Sequence, residues 1–366
     1  MSAAPRFHEL TVARIDAEAA GAVALTLSVP AALKDSFQFE PGQFLTLRAQ
    51  VNGQDLRRSY SICSTRSRLQ QHGELQVGIR PVEGGLFSNW AAQQLRVGDT
   101  LQVMPPEGRF VIQRPRAVHR VGFAAGSGIT PILSIIASSL EEQPCTKFTL
   151  VYGNRRMDSV MFNEALQDLK DQYPDRLTLI HILSRQAQEV DLLEGRIDGD
   201  KVRAIMKAFL PVKSMDEVFI CGPEAMIEVT EKTLVECGVP ANRVHSERFT
   251  TSASQAHKVQ ADTDASKGKQ ASAKSVHMTV VLDGKEHEVA LSPDEHVLDA
   301  ALNAGLDLPF SCKAGVCSTC RCKVTHGEVT MDKNFTLEAA EMAQGFALSC
   351  QARAATQKLV ISFDHR

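Results

Sequence analysis

The sequence predicts a multidomain protein that begins with an all-β domain, continues with an α/β domain and ends in a small cysteine-rich domain. Residues 1–113 contain short strand-like segments separated by turn residues. Residues 114–249 instead alternate apolar strand-like runs with helix-like segments. Residues 276–366 hold five of the nine cysteines of the chain. These patterns set the predicted domain boundaries, with residues 250–275 between the second and third domains.

The composition is that of an ordinary globular protein. The chain has 366 residues, of which 43% are hydrophobic and 23% are charged. Its first residues lack the basic and apolar regions of a signal peptide, and no apolar run approaches the roughly 18 residues of a membrane span. We therefore expect a cytoplasmic protein, in which clustered cysteines favour a metal or redox site over disulfides. The net charge of −3 gives no general reason to expect nucleic-acid binding.

The first domain carries the alternating pattern of half-buried strands. Segments such as QFLTLRAQV and GELQVGIRPV alternate apolar and polar residues, and the turn signals PGQ, VNGQ and VGDT separate such segments. This pattern is typical of an antiparallel barrel or sandwich.

The second domain changes to a strand-then-helix pattern. HRVGFAAGSGITPILSIIASSLEE passes from an apolar run through a glycine turn into a helical segment. KFTLVYGN, RLTLIHILS and EVFICG each precede another helix-like segment. The repeated order predicts a doubly wound parallel sheet over residues 114–249.

The segment of residues 250–275 differs in composition from both neighbours. It contains no aromatic residue, no Leu or Ile and one Val, so it cannot bury enough apolar surface to offset the entropy of ordering. We expect a flexible linker. Beyond it, residues 276–366 contain 8 Lys and Arg and 12 Asp and Glu, which gives this segment a net charge of −4. Because the whole chain has a net charge of −3, the residues before it have a net charge of +1.

The C-terminal cysteines have the spacing of a plant-type [2Fe-2S] site. Cys312, Cys317, Cys320 and Cys350 form C-x4-C-x2-C with a distant fourth cysteine. Gly315 and the small residues beside it leave room for a sulfide-bridged core and let backbone N–H groups approach the sulfurs.

Two alternatives bear on these cysteines. Zinc sites favour two C-x2-C pairs, or cysteine with histidine, so a four-residue gap before the first pair is unusual for zinc. Cys322 lies two residues after Cys320, so in a strand both side chains would point to the same face. We expect Cys322 to fill space behind the cluster rather than to act as a ligand.

The residues SCKAGVCSTCRCKVTHGEVTMDKNFTLEAAEMAQGFALSCQA resemble the ferredoxin domain at the C-terminus of ferredoxin-NADP reductase-like oxygenase reductases, and the resemblance continues through the upstream domains. It implies a multidomain fold of three parts. These are an antiparallel β-barrel that binds FAD, an α/β doubly wound parallel sheet that binds NAD(P), and an α+β β-grasp ferredoxin domain.

The resemblance assigns a flavin motif to RRSYSICS. In its R-x-Y-S pattern, Arg58 would meet the FAD pyrophosphate, Tyr60 would lie on the isoalloxazine ring, and the Ser61 hydroxyl would hydrogen-bond flavin N5. R-x-Y-S also occurs by chance in strands. Its order and spacing relative to the next motif strengthen the assignment.

That next motif is EGGLFSNW, in which the resemblance implies a phosphate loop at Gly84, Gly85 and Ser88. The two glycines would open a helix N-terminus, where free N–H groups and the helix dipole favour phosphate. A Gly-Gly pair alone is more often an ordinary turn.

The nicotinamide loop of the family corresponds here to AGSGITP. Gly126 and Gly128 would leave space for a dinucleotide pyrophosphate, Thr130 would cap the following helix, and Pro131 fits its first turn. G-x-G after a strand is a weak signal when it stands alone.

Two further segments complete the resemblance in the second domain. ICGPEAMI corresponds to the C-G-P segment of the family, which implies Cys221 near the nicotinamide C4 and adjoining cofactor contacts at Gly222 and Pro223. In HSERF, Phe249 would cover the flavin where the nicotinamide enters. Both Cys221 and Phe249 could instead be core residues at strand ends.

The sequence favours NADPH over NADH. ILSRQ resembles the Ser-Arg pair that holds the 2′-phosphate in NADP-using relatives, here Ser184 and Arg185, and no acidic residue replaces them. YGNRR adds Arg155 and Arg156 at the end of the preceding strand, although strand-end arginines are often only solvated.

The resemblance implies an NADPH-dependent oxidoreductase that passes electrons through FAD and a [2Fe-2S] cluster to an oxygenase partner. We expect no general acid–base dyad, in keeping with eleven His in no H-x-x-x-H or H-E-x-x-H pattern. Within the family the resemblance is greatest to reductases that serve a di-iron epoxidase. A reductase for a steroid or aromatic-ring hydroxylase is the alternative, and a binding or sensor protein with a structural metal, which would need no flavin motif, is the alternative of another class.

Overall fold

The structure, a computed structural model, describes residues 6–113, 118–249 and 276–365. The predicted linker, residues 250–275, lies outside these ranges, and the predicted domain boundaries remain predictions. Within the described ranges, no helix has both the length and the apolar character needed to cross a bilayer.

Six antiparallel strands form the first domain, in the spatial order β4-β3-β6-β1-β2-β5. The strands are β1 (His8–Ala17), β2 (Val23–Ser28), β3 (Phe44–Val51), β4 (Gln54–Ser61), β5 (Glu74–Ile79) and β6 (Thr100–Val103), and the helices are α1 (Arg66–His72) and α2 (Leu86–Gln93). The two edge strands meet where Ile62, directly after β4, bridges to Val77 of β5. The sheet therefore curls into a barrel, which is one of the two architectures that the sequence predicts.

The hairpin between β3 and β4 shows how the turn signals act. Val51 pairs with Gln54 across a two-residue turn, and both turn residues have positive φ, 52° at Asn52 and 76° at Gly53. Asn-Gly is the pair that adopts this type I′ geometry most readily. The turn fixes the register of β4, and with it the direction of every side chain in the R-x-Y-S motif.

The second domain is a five-stranded parallel sheet in the order β11-β10-β7-β8-β9, which confirms the doubly wound prediction. The strands are β7 (His119–Ala125), β8 (Lys147–Asn154), β9 (Leu177–Leu183), β10 (Glu217–Gly222) and β11 (Val244–Arg248), and the helices are α3 (Ile129–Glu142), α4 (Asn163–Gln172), α5 (Gly199–Phe209) and α6 (Glu224–Glu236). The strand order reverses between β7 and β10. Ligands of such sheets bind at the carboxyl ends of the strands beside this switch point.

The first two domains are joined by a buried interface. The ring of Phe110 packs edge-on against Phe219 of β10, with centroids 5.5 Å apart. The Ser134 hydroxyl of α3 donates to the Ser64 carbonyl of the barrel at 2.7 Å. These contacts hold the first two domains against each other.

The third domain contains a mixed five-stranded sheet in the order β13-β12-β18-β14-β16 and a two-stranded sheet of β15 and β17. Its strands are β12 (Val276–Leu282), β13 (Lys285–Leu291), β14 (Arg321–His326), β15 (Val329–Met331), β16 (Phe346–Leu348), β17 (Ala352–Ala354) and β18 (Lys358–Ser362), and its helices are α7 (Val297–Asn303) and α8 (Ala339–Ala343). Strands β12 and β18 pair in parallel at the centre of the sheet. We call residues 276–365 the ferredoxin domain, and its fold agrees with the α+β expectation.

Candidate functional site

The three domains meet around one cavity. The barrel contributes β4 and the start of α2, the α/β domain contributes the turn after β7 and the end of β11, and the ferredoxin domain contributes its cysteine loop, residues 312–317. The predicted residues on this lining are Arg58, Tyr60, Ser61, Gly85, Ser88, Thr130, Phe249, Cys312 and Cys317. One cavity thus brings together motifs that lie far apart in the sequence.

The residues of the R-x-Y-S motif are presented by β4. The Arg58 guanidinium donates to the Arg57 carbonyl at 2.7 Å and lines the cavity. The Tyr60 ring lies 5.7 Å from the Phe87 ring of α2, and burial raises the pKa of its hydroxyl above the usual value. A cation, an aromatic face and a hydroxyl thus share one wall, which suits a flavin with its pyrophosphate.

The predicted phosphate loop requires glycine for steric reasons. Gly84 has a φ of 70°, and a Cβ on Gly85 would lie 2.5 Å from the Val82 side chain and 2.6 Å from Ser88 Oγ. Gly85 is the N-cap of α2 and has no side chain to occupy the first N–H groups of the helix. This bare helix N-terminus faces the cavity and fits a phosphate.

The predicted nicotinamide loop packs closely on the end of β10. A Cβ on Gly128 would lie 2.1 Å from the Cys221 carbonyl oxygen, so only glycine fits. Gly126 has a φ of 55°, and its carbonyl accepts a hydrogen bond from the Tyr152 hydroxyl at 2.9 Å. Sequence reasoning missed Arg80, which lines the cavity and whose guanidinium would lie 2.8 Å from a Cβ on Gly126.

The expected helix cap at Thr130 is wrong. Helix α3 begins at Ile129 with Gly128 as its N-cap, because the 3-10 turn of Gly126–Gly128 runs directly into the helix. Thr130 lies inside the first turn, where its hydroxyl donates to the Ser127 carbonyl at 3.0 Å. It still lines the cavity, so its contact with a cofactor remains a prediction.

Cys221 is fully buried at the carboxyl end of β10. Burial and the neighbouring Glu247 carboxyl raise the pKa of its thiol well above the usual value, so the thiol is neutral. Gly222 ends β10, and Pro223 is the N-cap of α6. Phe249 follows β11, lines the cavity and is 38% exposed. The roles predicted for these residues remain predictions.

Glu247 is an acidic residue of the cavity that sequence reasoning missed. It is half-buried because it faces the cavity, and its Oε2 accepts a hydrogen bond from the Ser61 hydroxyl at 3.1 Å. Burial raises the pKa of its carboxyl to about 8, and the bond from Ser61 opposes this shift. The available signal was an acid in SERF at the carboxyl end of a parallel strand.

The four predicted cluster ligands converge in the ferredoxin domain. The Cys312 thiol contacts those of Cys317 and Cys350, and the Cys350 thiol also contacts that of Cys320. No three metal-ligating side chains among the described residues are arranged to hold a single ion. The four thiols suit a two-iron cluster, since each iron takes two of them. Cys322 is buried in the core of this domain, in agreement with the expectation that it fills space.

Backbone geometry around the thiols also fits a cluster. Gly315 has a φ of 76°, and a Cβ there would lie 3.0 Å from the Lys333 carbonyl oxygen. The Ala314 N–H donates to Cys312 Sγ at 3.3 Å, and the Gln351 amide donates to Cys350 Sγ at 3.6 Å. Such N–H donors stabilise negative charge on cluster sulfurs.

A second group of predicted residues lies at the carboxyl ends of β8 and β9. The Ser184 N–H and hydroxyl both donate to the Asn154 carbonyl, at 2.9 and 3.3 Å. The Arg185 N–H donates to the Arg155 carbonyl at 2.8 Å, and the Arg156 guanidinium lies 3.3 Å from Asp158. Three guanidiniums therefore share one exposed edge, which is suited to a phosphate.

Comparisons with known proteins agree with this three-part arrangement. Residues 13–112 match the oxidoreductase FAD-binding domain family. Residues 123–232 match the oxidoreductase NAD-binding domain family, and residues 280–355 match the 2Fe-2S iron-sulfur cluster binding domain family.

Similar proteins include reductase components of several oxygenases. The chain is 46% identical over 363 residues to a subunit of the 1,2-phenylacetyl-CoA epoxidase of Escherichia coli, and the match covers 98% of both chains. It is 35% identical over 357 residues to the ferredoxin reductase component of 3-ketosteroid-9-alpha-monooxygenase of Rhodococcus rhodochrous, covering 97% of this chain and 96% of the relative. The structure of phthalate dioxygenase reductase matches with a TM-score of 0.59 at 22% identity and 98% coverage of both chains, which shows the shared fold.

The Glu247 carboxyl leads to a prediction about stability and pH. Its pKa is about 8 in the folded chain, against an ordinary value of 4.5. The stability contributed by the bound proton is therefore fully present below about pH 4.5 and is lost as the pH rises through about 8. Glu247→Gln has no proton to lose, so thermal melts should show it gaining stability relative to the wild type across this range.

Glu228→Gln on the exposed face of α6 is the matched control, and it should follow the wild type at every pH. Parallel pH courses for the wild type and Glu247→Gln would contradict the assignment of a raised pKa to Glu247.

Proposed function

The chain belongs to the family of oxygenase reductase components that join FAD-binding, NAD-binding and 2Fe-2S domains, and on this premise we propose that it passes electrons from NADPH to a di-iron phenylacetyl-CoA epoxidase. The observation that carries the proposal is the 46% identity, over 98% of both chains, to the Escherichia coli phenylacetyl-CoA epoxidase component. The convergence of all three domains on one cavity supports it.

The three groups divide the chemistry in a simple way. NADPH supplies a hydride, FAD accepts two electrons together and releases them singly, and the cluster takes one electron at a time. The chain itself must hold these groups close together and keep water away from them.

The cavity residues have distinct positions for this task. Arg58 and the N-terminus of α2 would bind the FAD pyrophosphate, and Tyr60 would support the flavin ring. Phe249 would cover the opposite face until the nicotinamide displaces it. Glu247 accepts the hydrogen bond of Ser61 at 3.1 Å and so holds that hydroxyl at the reacting edge of the cavity.

The cysteine loop forms the remaining wall. Cys312 and Cys317 line the same cavity as Tyr60 and pack against Phe44 of the barrel. A cluster held by these cysteines would therefore lie at the wall of the flavin site, where it would supply one-electron chemistry.

The choice of NADPH rests on the second group of residues. Ser184 and Arg185 follow β9, and Arg155 and Arg156 follow β8. Among the described residues, Arg155 and Arg185 form no ion pair, which leaves both charges available for a 2′-phosphate.

A reductase for a steroid hydroxylase is the second candidate function. The 35% identity to the reductase component of the 3-ketosteroid monooxygenase supports it. The cofactor path would be unchanged, because only the acceptor differs between these two functions.

Replacing Arg185 tests the cofactor preference. Arg185→Gln should raise the KM for NADPH about tenfold, the effect of about 1.4 kcal/mol of lost interaction, with little change for NADH, which lacks the 2′-phosphate. Steady-state kinetics with a flavin-level dye measures both constants. Arg203→Gln on the exposed face of α5 removes the same charge elsewhere and should change neither constant. An equal rise for both cofactors would show that the adenosine pocket is misassigned.

Coupled turnover tests the proposed partner. With the purified di-iron epoxidase, NADPH consumption should match product formation, and the rate should fall as salt screens the −4 charge of residues 276–366. Cys317→Ser should retain NADPH-driven reduction of the dye but lose coupling, because it removes a cluster ligand. Coupling to a steroid or Rieske-type hydroxylase, with none to the epoxidase, would favour the second candidate.

A further inference from the structure

Strand β4 contacts both the cavity and the ferredoxin domain. Arg58 and Tyr60 line the cavity predicted to hold the flavin. On the other face of the strand, Arg57 and Ser59 bond to the ferredoxin domain, and Ser59 also reaches the cavity, which both domains border. The variable position of R-x-Y-S is therefore a contact residue for another domain in this chain.

Arg57 makes the most extensive of these contacts. Its side chain is 3% exposed, and its guanidinium donates to Asp307 Oδ1 at 2.5 Å and to the Leu308 carbonyl at 3.0 Å. The guanidinium also lies over the Phe310 ring, 4.3 Å from its centroid. A buried cation that meets a carboxylate, a carbonyl and an aromatic face is a strong and directional contact.

Other polar contacts surround this one. The Ser59 hydroxyl donates to the Ser311 hydroxyl at 2.8 Å. The Arg109 guanidinium of the barrel also pairs with Glu341 of the ferredoxin domain, at 2.5 Å. Two carboxylates of the ferredoxin domain, Asp307 and Glu341, are thus held by barrel arginines.

The same contacts cover the accessible edge of the cluster site. Cys312 and Cys317 are 7% exposed and pack against Phe44 of the barrel. Cys320 and Cys350 are packed within the core of the ferredoxin domain. Cys312 and Cys317 therefore form the edge of the cluster site that faces the barrel, and an acceptor protein cannot reach this edge while the barrel is in place.

We propose that Asp307, Glu341 and the cysteine loop form a single docking face that the barrel and the acceptor protein occupy in turn. The acceptor presents lysines or arginines to the two carboxylates, in the place of Arg57 and Arg109. This proposal rests on the proposed function in one respect, namely that the acceptor is the oxygenase component.

The test compares one variant on each side of the contact. Arg57→Gln weakens the barrel side alone, whereas Asp307→Asn changes the shared face, where its side chain is 63% exposed and can be replaced without disturbing a core. Arg14→Gln, on an exposed arginine of β1, and Glu286→Gln, on the exposed edge strand β13, are the matched controls.

Two rates are measured on the holoprotein under anaerobic conditions. The entry rate is that of cluster reduction by NADPH in a single turnover, followed by stopped-flow absorbance. The exit rate is that at which chemically pre-reduced protein gives one electron to ferric cytochrome c, a basic protein, which becomes ferrous as the cluster is reoxidised. The exit rate needs neither NADPH nor the oxygenase, so it stands even if the proposed oxygenase is wrong.

If one face serves both the barrel and the acceptor, Arg57→Gln and Asp307→Asn should affect the exit rate differently. Arg57→Gln should slow entry about tenfold, as expected for the loss of about 1.4 kcal/mol, and should leave exit as fast as in the wild type or faster. Asp307→Asn should slow both entry and exit, and the two control variants should change neither.

An exit rate that Asp307→Asn does not alter would overturn the proposal, because the acceptor would then dock elsewhere. Slower exit in Arg57→Gln would also overturn it, since the barrel would then assist the acceptor rather than compete with it. If Arg57→Gln does not fold, Glu341→Gln provides the second measurement on the shared face and should behave as Asp307→Asn does.

Discussion

The contact between the cysteine loop and the barrel is the constraint on which the rest of this structure depends. A hydride donor, a flavin and a cluster can work in sequence only if each lies beside the next. Phe44, Cys312 and Cys317 meet at the cavity wall, and the switch point of the parallel sheet opens onto the same cavity. Each domain therefore contributes one wall of the cavity, and none of the three forms it alone.

The register of a single strand decides two of these walls. The Asn52-Gly53 turn fixes how β4 pairs with β3, so Arg58 and Tyr60 lie on the face that lines the cavity, while Arg57 and Ser59 lie on the face that bonds to the ferredoxin domain. A one-residue slip would exchange the two sets of side chains. Flavin binding and ferredoxin docking are therefore linked through the backbone of β4.

Most of the fold and part of the site could be predicted from the sequence, because those signals are local. The cysteine spacing, the glycine loops and the change from alternating to helical periodicity each depend on neighbouring residues. Glu247, Arg80 and Arg57 were missed because their significance comes from partners far away in the sequence, such as Asp307, which is 250 residues from Arg57. The cap expected at Thr130 was wrong because a 3-10 turn extends the helix toward its N-terminus, a detail that residue types alone do not specify.

The most direct test of the account is to fix the barrel and the ferredoxin domain together. Arg109→Cys and Glu341→Cys, in a chain whose accessible Cys145 and Cys237 are changed to Ser, can be joined by a short cleavable bismaleimide and assayed with NADPH and cytochrome c. We predict that the joined protein still reduces its cluster in a single turnover but no longer reduces cytochrome c, and that cleavage of the linker restores this activity. Undiminished reduction of cytochrome c by the joined protein would contradict the claim that one face serves both entry and exit.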